Sequence, residues 1–228
     1  LSDGLQTIGD YAFDQSSALK TMDIPESVTE IGDYAFQKCA FTSVDFPDAV
    51  RSLGKGVLYS CESLTAVTLP AGLKKIPEEG FAWCGGLRSF TIPDGITEIG
   101  DKAFWYCTGL MEITMADSVT SIGSEAFSRT EALEQMSFGD GSKLVSVGEK
   151  AFENSNIETV AFPASLQVIG KSAFNLCTAL TTVTIPENSS LTTVGENAFN
   201  GCTELSRFYF PAAVTSIGTD AFDDCDAI

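Results

Sequence analysis

The seven cysteines carry the most reactive side chains in this sequence, and they recur at nearly regular spacing. They are Cys39, Cys61, Cys84, Cys107, Cys177, Cys202 and Cys225. A structural zinc site needs closely paired cysteines or histidines, but the sequence has no Cys-x-x-Cys pair and no histidine. We therefore predict no metal and no cofactor, and we expect the thiols to be small buried residues, one in each of several repeated units.

Carboxylates are the other groups that could do chemistry, and four of them crowd the C-terminal end. They are Asp220, Asp223, Asp224 and Asp226. Calcium would suit such ligands, but the twelve-residue loop of an EF-hand with its glycine is missing, so a solvated turn is the simpler interpretation. Without histidine, a phosphate-binding glycine loop or a nucleophile elbow, the sequence predicts no catalytic residues and no enzyme.

A short motif, Ile-Gly-x-x-Ala-Phe, organises the whole chain. It occurs, for example, at residues 31–36, 99–104, 122–127, 169–174 and 217–222. The apolar residue before the glycine recurs every 22 to 25 residues, and we number ten units by it: Ile8, Ile31, Leu53, Ile76, Ile99, Ile122, Val147, Ile169, Val194 and Ile217. Such a period predicts a solenoid of stacked units rather than a globule with a pocket.

Each unit contains the same three pieces. A Leu-x-x-Val-x-Ile segment, such as residues 64–69, alternates as a half-buried strand does, and a proline usually closes it. A second short extended stretch follows and ends at the glycine, where we expect a tight turn with positive φ. The residues around Ala-Phe predict one helical turn. Stacked units would bury columns of Leu, Val, Ile and Phe, so most of the sixteen phenylalanines are predicted to be structural.

The segment Val119–Phe127 and the fuller pattern Ile-Pro-x-x-Val-Thr-x-Ile-Gly-x-x-Ala-Phe-x-x-Cys-x-x-Leu closely resemble the BspA-like type of leucine-rich repeat. The resemblance covers the whole chain. It implies a β-rich α/β fold, a right-handed leucine-rich-repeat solenoid, in a bacterial protein that is extracellular or on the cell surface. Some members of this family are adhesins for host matrix and plasma proteins such as fibronectin and fibrinogen, and the family has no shared catalytic residues.

The charge and hydropathy of the chain limit the classes of partner that it can bind. The sequence has 13 Lys and Arg against 31 Asp and Glu, a net charge of −18, which argues against nucleic acid and against an anionic membrane. No apolar run is long enough to span a bilayer, so we expect no membrane insertion in this segment. We expect residues 1–228 to form one solenoid domain, a fragment of a longer chain, because neither end carries a polar cap.

Two surfaces are candidates for binding. The outward strand positions, which we expect to line the concave face, hold Thr68, Thr91, Thr114 and Tyr209. The positions after the motif phenylalanine are mostly polar, but three adjacent units hold aromatic residues there instead: Tyr59, Trp83, Trp105 and Tyr106. Clustered exposed aromatics are typical of partner contacts. Alternatively, the rings fold over a neighbouring turn or pack against a flanking segment.

The sequence thus favours a non-catalytic protein-binding or adhesion module that presents a repeat surface to a protein, with host matrix or plasma proteins as candidates. One alternative is a structural spacer or assembly element without its own ligand. Another is a carbohydrate-binding surface formed by the exposed aromatics. An adhesin should carry a localised patch that does not repeat, whereas a spacer should look alike from unit to unit.

Overall fold

A computed structural model describes residues 1–228, which form eighteen short parallel strands and no helix. The strands are β1 (Thr7–Ile8), β2 (Glu30–Ile31), β3 (Ser43–Asp45), β4 (Ser52–Leu53), β5 (Ala66–Thr68), β6 (Lys75–Ile76), β7 (Ser89–Thr91), β8 (Glu98–Ile99), β9 (Glu112–Met115), β10 (Ser121–Ile122), β11 (Gln135–Phe138), β12 (Ser146–Val147), β13 (Thr159–Ala161), β14 (Val168–Ile169), β15 (Thr182–Thr184), β16 (Thr193–Val194), β17 (Arg207–Phe208) and β18 (Ser216–Ile217).

The chain coils as a β-solenoid in which each strand pairs with its counterpart one unit away. Ile76 of β6, for example, is in register with Ile99 of β8. The two-residue strands that end at the numbered motif residue occur ten times and therefore enclose nine turns. Both extended stretches predicted for the units are confirmed, except that residues 19–24, before the second numbered residue, are not a regular strand.

The short strands before the glycine and the longer strands form separate sheets, and the sheets of the longer strands are interrupted more often. The short strands before the glycine form a seven-stranded sheet from β6 to β18 and a three-stranded sheet β1-β2-β4. The longer strands form three separate sheets, namely β3-β5, β7-β9-β11 and β13-β15-β17. The second break lies between β11 and β13, which flank the inserted loop at residues 139–143 and are adjacent without being paired.

The predicted columns of apolar residues make up the core. Fifty-eight buried residues form one continuous cluster, and the motif phenylalanines stack within it. The rings of Phe104, Phe127 and Phe152 stack in nearly parallel planes, with centroids 5.1 and 5.2 Å apart. The phenylalanine ring of one unit therefore covers the ring of the next unit. A single unit would leave its ring exposed and would not be stable alone.

The predicted helical turn, and with it the α part of the α/β class, is wrong. The segment around Ala-Phe is a run of tight turns. In the fifth unit the N–H groups of Lys102, Phe104 and Tyr106 donate to carbonyls of the next unit at 2.7–3.1 Å. The alternate N–H groups stay local, as when Ala103 donates to Gly100. A helix would use every N–H internally, whereas this backbone shares them between units.

Positive φ angles explain why a helix cannot form here. In every unit the residue before the motif alanine and the residue before the cysteine column have φ between 52° and 73°, as at Lys102 and Tyr106. A right-handed helix does not tolerate such residues. Bonds to the next unit hold these positions in place. Because the geometry recurs in all ten units, it is a property of the repeat and does not mark a site.

The motif glycine is required for a different reason from the one predicted. None of the glycines that follow the numbered residue has positive φ. Instead, a Cβ added at Gly100 would lie 2.7 Å from the backbone of Glu78, and one at Gly148 would lie 2.7 Å from that of Gly123. Stacked backbones approach so closely at these two positions that a side chain does not fit.

Six of the seven cysteines are buried, as predicted, Cys225 is half-buried, and none of the seven thiols is in a disulfide. Each Sγ lies within hydrogen-bonding distance of a carbonyl one unit back, 3.0 Å from Phe81 for Cys107 and 3.0 Å from Phe152 for Cys177. Burial raises the pKa of both thiols to about 12. The thiols therefore remain protonated donors, and their role is to connect units.

Candidate binding surface

Three of the four aromatic residues predicted to cluster are in mutual contact on the turn side of the solenoid. The indole of Trp83 stacks on Tyr106, with centroids 4.2 Å apart and planes 3° apart. Trp105 stands edge-on to both, at 5.8 Å from Trp83 and 4.7 Å from Tyr106. The stacking follows from the repeat, because Trp83 and Tyr106 occupy the same column in adjacent units.

The fourth residue, Tyr59, continues this cluster toward the N-terminus. Its ring lies edge-on to Tyr34 at 6.1 Å, and Tyr34 in turn stacks on Tyr11 at 5.3 Å. Aromatic side chains thus follow one another through the first five units. We call this set the aromatic strip: Tyr11, Tyr34, Tyr59, Trp83, Trp105 and Tyr106.

Sequence reasoning missed Tyr11 and Tyr34 because they precede the motif alanine. On a helical turn that position would face away from the residues after the phenylalanine. The observed turn brings the two columns onto one surface. Gly56 could have revealed that Tyr34 lies on this surface. It occupies the same column as Tyr34 one unit later, and the Tyr34 ring lies over it because it has no side chain. A Cβ at Gly56 would overlap the ring of Tyr34.

Charged groups border the aromatic strip. The ammonium of Lys102 lies 5.4 Å from the Trp105 ring, and the guanidinium of Arg129 lies 5.4 Å from the Tyr106 ring. Both distances are typical of cation–π contacts. Both cations lie at the end of the strip that carries the tryptophans, and Lys102 also lies 3.6 Å from Glu125.

A hydrogen-bonded network fixes the middle of the strip. The hydroxyl of Tyr34 donates to Glu79 at 2.6 Å, and Glu79 also lies 3.4 Å from the ammonium of Lys55. Burial, with a further contribution from Glu79, raises the pKa of Tyr34 to about 12. Burial and Glu79 also raise the pKa of Tyr59, while the nearby Trp83 opposes the rise. Both phenols are therefore neutral hydrogen-bond donors at physiological pH.

The aromatic rings of the strip differ in how much of their surface is accessible to a partner. Trp83 is 37% exposed and Tyr11 is 54% exposed, whereas Tyr59, Trp105 and Tyr106 are half-buried. Because neighbouring rings stack on one another, several of their faces are covered within the strip. The partly accessible tryptophans and tyrosines are of the kind that dominates protein interfaces.

The sheet-face candidates are less distinctive. Thr68 and Thr91 are exposed and Thr114 is half-buried, but the sheet is broken between β5 and β7, so Thr68 is not paired with Thr91. Thr91 and Thr114 are paired in register, and Thr68 donates to Asp45. Cross-strand pairing accounts for this column. Tyr209 lies just beyond β17 and is 51% exposed.

The remaining ionisable side chains are not grouped into a metal-binding site. No group of three or more His, Cys, Asp or Glu side chains is arranged to hold a metal ion, and this includes the aspartates at residues 220–226. No helix in the structure has the length and apolarity needed to cross a bilayer.

The repeat geometry agrees with comparisons to known proteins. A family model of the BspA type leucine rich repeat region, with six copies, matches residues 1–111 and 97–228. These two matches together span the chain. The protein therefore belongs to the BspA-type leucine-rich-repeat family. A search of curated protein sequences found no match.

Solved structures show the same fold. A leucine-rich repeat protein from Bacteroides ovatus is 24% identical with a TM-score of 0.67, and the alignment covers 100% of this chain and 70% of that one. A second, from Eubacterium ventriosum, is 24% identical with a TM-score of 0.64 over 96% of this chain and 74% of that one. At this identity the likeness establishes the leucine-rich-repeat solenoid and nothing about ligands.

Proposed function

We propose that this protein is a non-catalytic protein-binding module of a bacterial surface or secreted protein, and that the aromatic strip is its principal contact surface. The membership in a BspA-type repeat family supports a role in protein interaction. Adhesion to host matrix or plasma proteins is the specific form of this proposal, and fibronectin and fibrinogen are its first candidates.

The observation that carries the proposal is the localisation of the strip. Its six aromatic side chains occupy the first five units, and ring contacts join the first unit to the second, the second to the third, and the fourth to the fifth. In the seventh to ninth units, the residues in the two columns after the motif phenylalanine are Glu153 and Asn154, Asn175 and Leu176, and Asn200 and Gly201. A surface that only separated two other domains would have no need of this difference.

A carbohydrate ligand is a weaker candidate because of how the rings are oriented. Sugar recognition by aromatic residues generally uses an open ring face, but one face of Trp83 is covered by Tyr106 at 4.2 Å. Lys102 lies over the ring of Trp105, and Arg129 lies over that of Tyr106. The strip therefore offers ring edges and hydroxyl groups, which suit a protein surface better.

The test is direct binding to purified fibronectin and fibrinogen, measured by surface plasmon resonance. We expect saturable binding by the wild-type chain and a loss of about tenfold or more in affinity for Trp83→Ala/Trp105→Ala. The matched control is Asn175→Ala/Leu176→Ala, which removes side chains from the same two columns where Leu176 is 45% exposed. The control should bind as the wild type does.

Two results would reject the proposal. If the wild-type chain binds neither fibronectin nor fibrinogen, the result would favour the alternative of a structural spacer without its own ligand. Equal affinities for the two double variants would show that the aromatic strip does not form the contact. Circular dichroism spectra and melting temperatures of both variants would establish that folding is retained.

A further inference from the structure

The hydrogen-bond ladder of the short strands is interrupted at one interface, beside Pro77. Elsewhere the glycine after the numbered residue donates its N–H to the carbonyl of the numbered residue one unit back, as Gly54 does to Ile31 at 2.8 Å and Gly100 to Ile76 at 2.9 Å. Proline occupies this position in the fourth unit and has no N–H to donate. The carbonyl of Leu53 is therefore left without this bond.

A second bond is missing at the same interface. In every other unit that has a predecessor, a residue just before the short strand donates to its counterpart one unit back, as Thr97 does to Lys74 at 2.8 Å and Arg51 to Thr29 at 3.1 Å. The N–H of Lys74 makes no such bond to Arg51. Accordingly, β4 pairs with β2 and β6 pairs with β8, but β4 and β6 are not paired.

The interruption opens a surface groove with an unusual charge. The groove has a volume of about 340 Å³ and is lined by Arg51, Lys55, Lys74 and Lys75, with Glu78 as the only carboxylate. Four cations and one anion give the lining a net charge of +3, in a chain whose net charge is −18. The apolar residues of the lining are Leu53, Leu73 and Pro77.

Two of the four cations are available to a ligand. Lys55 is paired with Glu78 at 2.8 Å, and Lys75 is paired with Glu98 on the next unit. Arg51 donates to the backbone carbonyl of Asp48 at 2.7 Å but makes no ion pair, and Lys74 makes none either. An anion that approached Arg51 and Lys74 would meet charge that the protein itself does not neutralise.

We infer that this groove binds an acidic segment of a protein partner, with an Asp or Glu carboxylate held by Arg51 and Lys74. This inference rests on the proposed function and extends it to the chemistry of the partner. The unbonded N–H of Lys74 and the carbonyls of Arg51 and Leu53 can bond the backbone of an extended peptide. A polysulfated sugar fits less well, because its additional sulfate groups would be repelled by those carbonyl oxygens and by the carboxylate of Glu78.

The groove and the aromatic strip are connected. Lys55 lines the groove and contacts Glu79, which accepts the hydroxyl of Tyr34 in the strip. A single partner chain can therefore occupy both, with apolar or aromatic residues on the strip and an acidic residue in the groove. The charge complementarity also explains why cations persist here on an acidic protein.

A random twelve-residue peptide library displayed on phage, selected on the purified chain, tests the inference. We expect selected peptides to contain Asp or Glu and to lose about tenfold or more in affinity, by fluorescence anisotropy, for Arg51→Glu/Lys74→Glu. The matched control, Lys143→Glu/Lys150→Glu, changes the charge of the whole chain equally at positions outside the groove and should bind the peptides within about twofold of wild type.

A second variant tests the shape of the groove without changing its charge. Pro77→Gly restores the residue found at this column in the other units and supplies the missing N–H. We expect β4 and β6 to pair, the groove to close and the acidic peptides to bind about tenfold more weakly, although all four cations remain.

The inference is overturned if no peptide is enriched, if enriched peptides lack acidic residues, or if Arg51→Glu/Lys74→Glu binds them unchanged. It is also overturned if heparin displaces the peptides while the peptides fail to displace heparin, because that result would assign the groove to a sulfated sugar. Binding to fibronectin or fibrinogen that is lost in the tryptophan variant but unchanged in Arg51→Glu/Lys74→Glu would reject the groove alone and leave the proposed function standing.

Discussion

Residues 51–106 and residues 144–205 share one repeat but differ in how strictly they follow it. In residues 144–205 the glycine ladder is complete, and Phe152, Phe174 and Phe199 stack at 5.0 and 5.3 Å. In residues 51–106 a leucine replaces one phenylalanine, Pro77 replaces one glycine, and β4 and β6 separate. Four of the six residues of the aromatic strip, Tyr59, Trp83, Trp105 and Tyr106, and the whole cationic groove lie in the less regular region.

The regular region builds the solenoid, whereas the irregular region holds most of the residues that we propose to contact a partner. Residues that repeat fill the core or allow backbones to approach, and most of their side chains are buried. Residues that depart from the repeat create the features a partner can recognise. The variants below test this division, because changes in repeated columns should affect stability and changes in the irregular region should affect binding.

The largest effect is expected from truncating a stacked core ring. Phe127→Ala removes a fully buried ring that lies between Phe104 and Phe152, and it should lower the free energy of unfolding by about 3–5 kcal/mol. Trp83→Ala, at a partly exposed position, should cost only about 1–2 kcal/mol. Urea denaturation of both variants measures the difference. A larger loss for Trp83→Ala would show that the strip is part of the core.

The next largest effect concerns the close approach of backbones. Gly148→Ala sets a Cβ 2.7 Å from the backbone of Gly123 and should cost about 1–3 kcal/mol. Gly9→Ala is the matched control, since it occupies the same column in the first unit, where a Cβ would meet nothing within 4 Å. The control should remain within about 0.5 kcal/mol of wild type. Equal melting temperatures for the two variants would refute the steric explanation.

The buried thiols should make stability depend on pH. Burial raises the pKa of Cys107 to about 12 in the folded chain, from 9.0 as a free thiol. Above pH 9 the unfolded chain releases this proton while the folded chain keeps it, so the free energy of unfolding falls as pH rises toward 12. Cys107→Ser should lessen the decline between pH 8 and pH 10 by about 1 kcal/mol.

Urea denaturation at several pH values measures this decline. The column itself contains serine at Ser155, so the substitution is compatible with the repeat. An identical pH dependence in wild type and Cys107→Ser would mean that the thiol titrates alike in both states.

The smallest effect is expected at the hydrogen bond that anchors the strip. Tyr34→Phe removes the donor to Glu79 and should cost about 1 kcal/mol. Tyr11→Phe removes the hydroxyl of the neighbouring ring in the same column and, because Tyr11 is exposed, should be close to neutral. Thermal denaturation distinguishes the two variants. A cost for Tyr11→Phe equal to that for Tyr34→Phe would argue against the anchoring role of Glu79.

Much of the fold could be predicted from the sequence because each core column repeats ten times. The phenylalanine stack, the buried thiols and the two extended stretches all follow from the period. The helical turn could not be excluded locally, since the residues around Ala103 and Phe104 are compatible with a helix. Only the bonds to the next unit, which no single segment encodes, hold Lys102 and Tyr106 at positive φ.

The candidate site was predictable only in part for the same reason. Trp83 and Tyr106 share a column, so their contact follows from the repeat. Tyr34 belongs to another column, and only the actual path of the turn brings it near Tyr59. The groove depends on bonds that are absent between two units, and the sequence signals this solely through Pro77.

Hydroxyl-radical footprinting of the chain, free and saturated with fibronectin or fibrinogen, tests most directly the claim that binding resides where the repeat is irregular. We predict that the partner lowers the oxidation of Tyr34, Tyr59, Trp83 and Trp105, and leaves Leu176 unchanged. Protection confined to residues 144–205, or binding to neither partner, would contradict the claim.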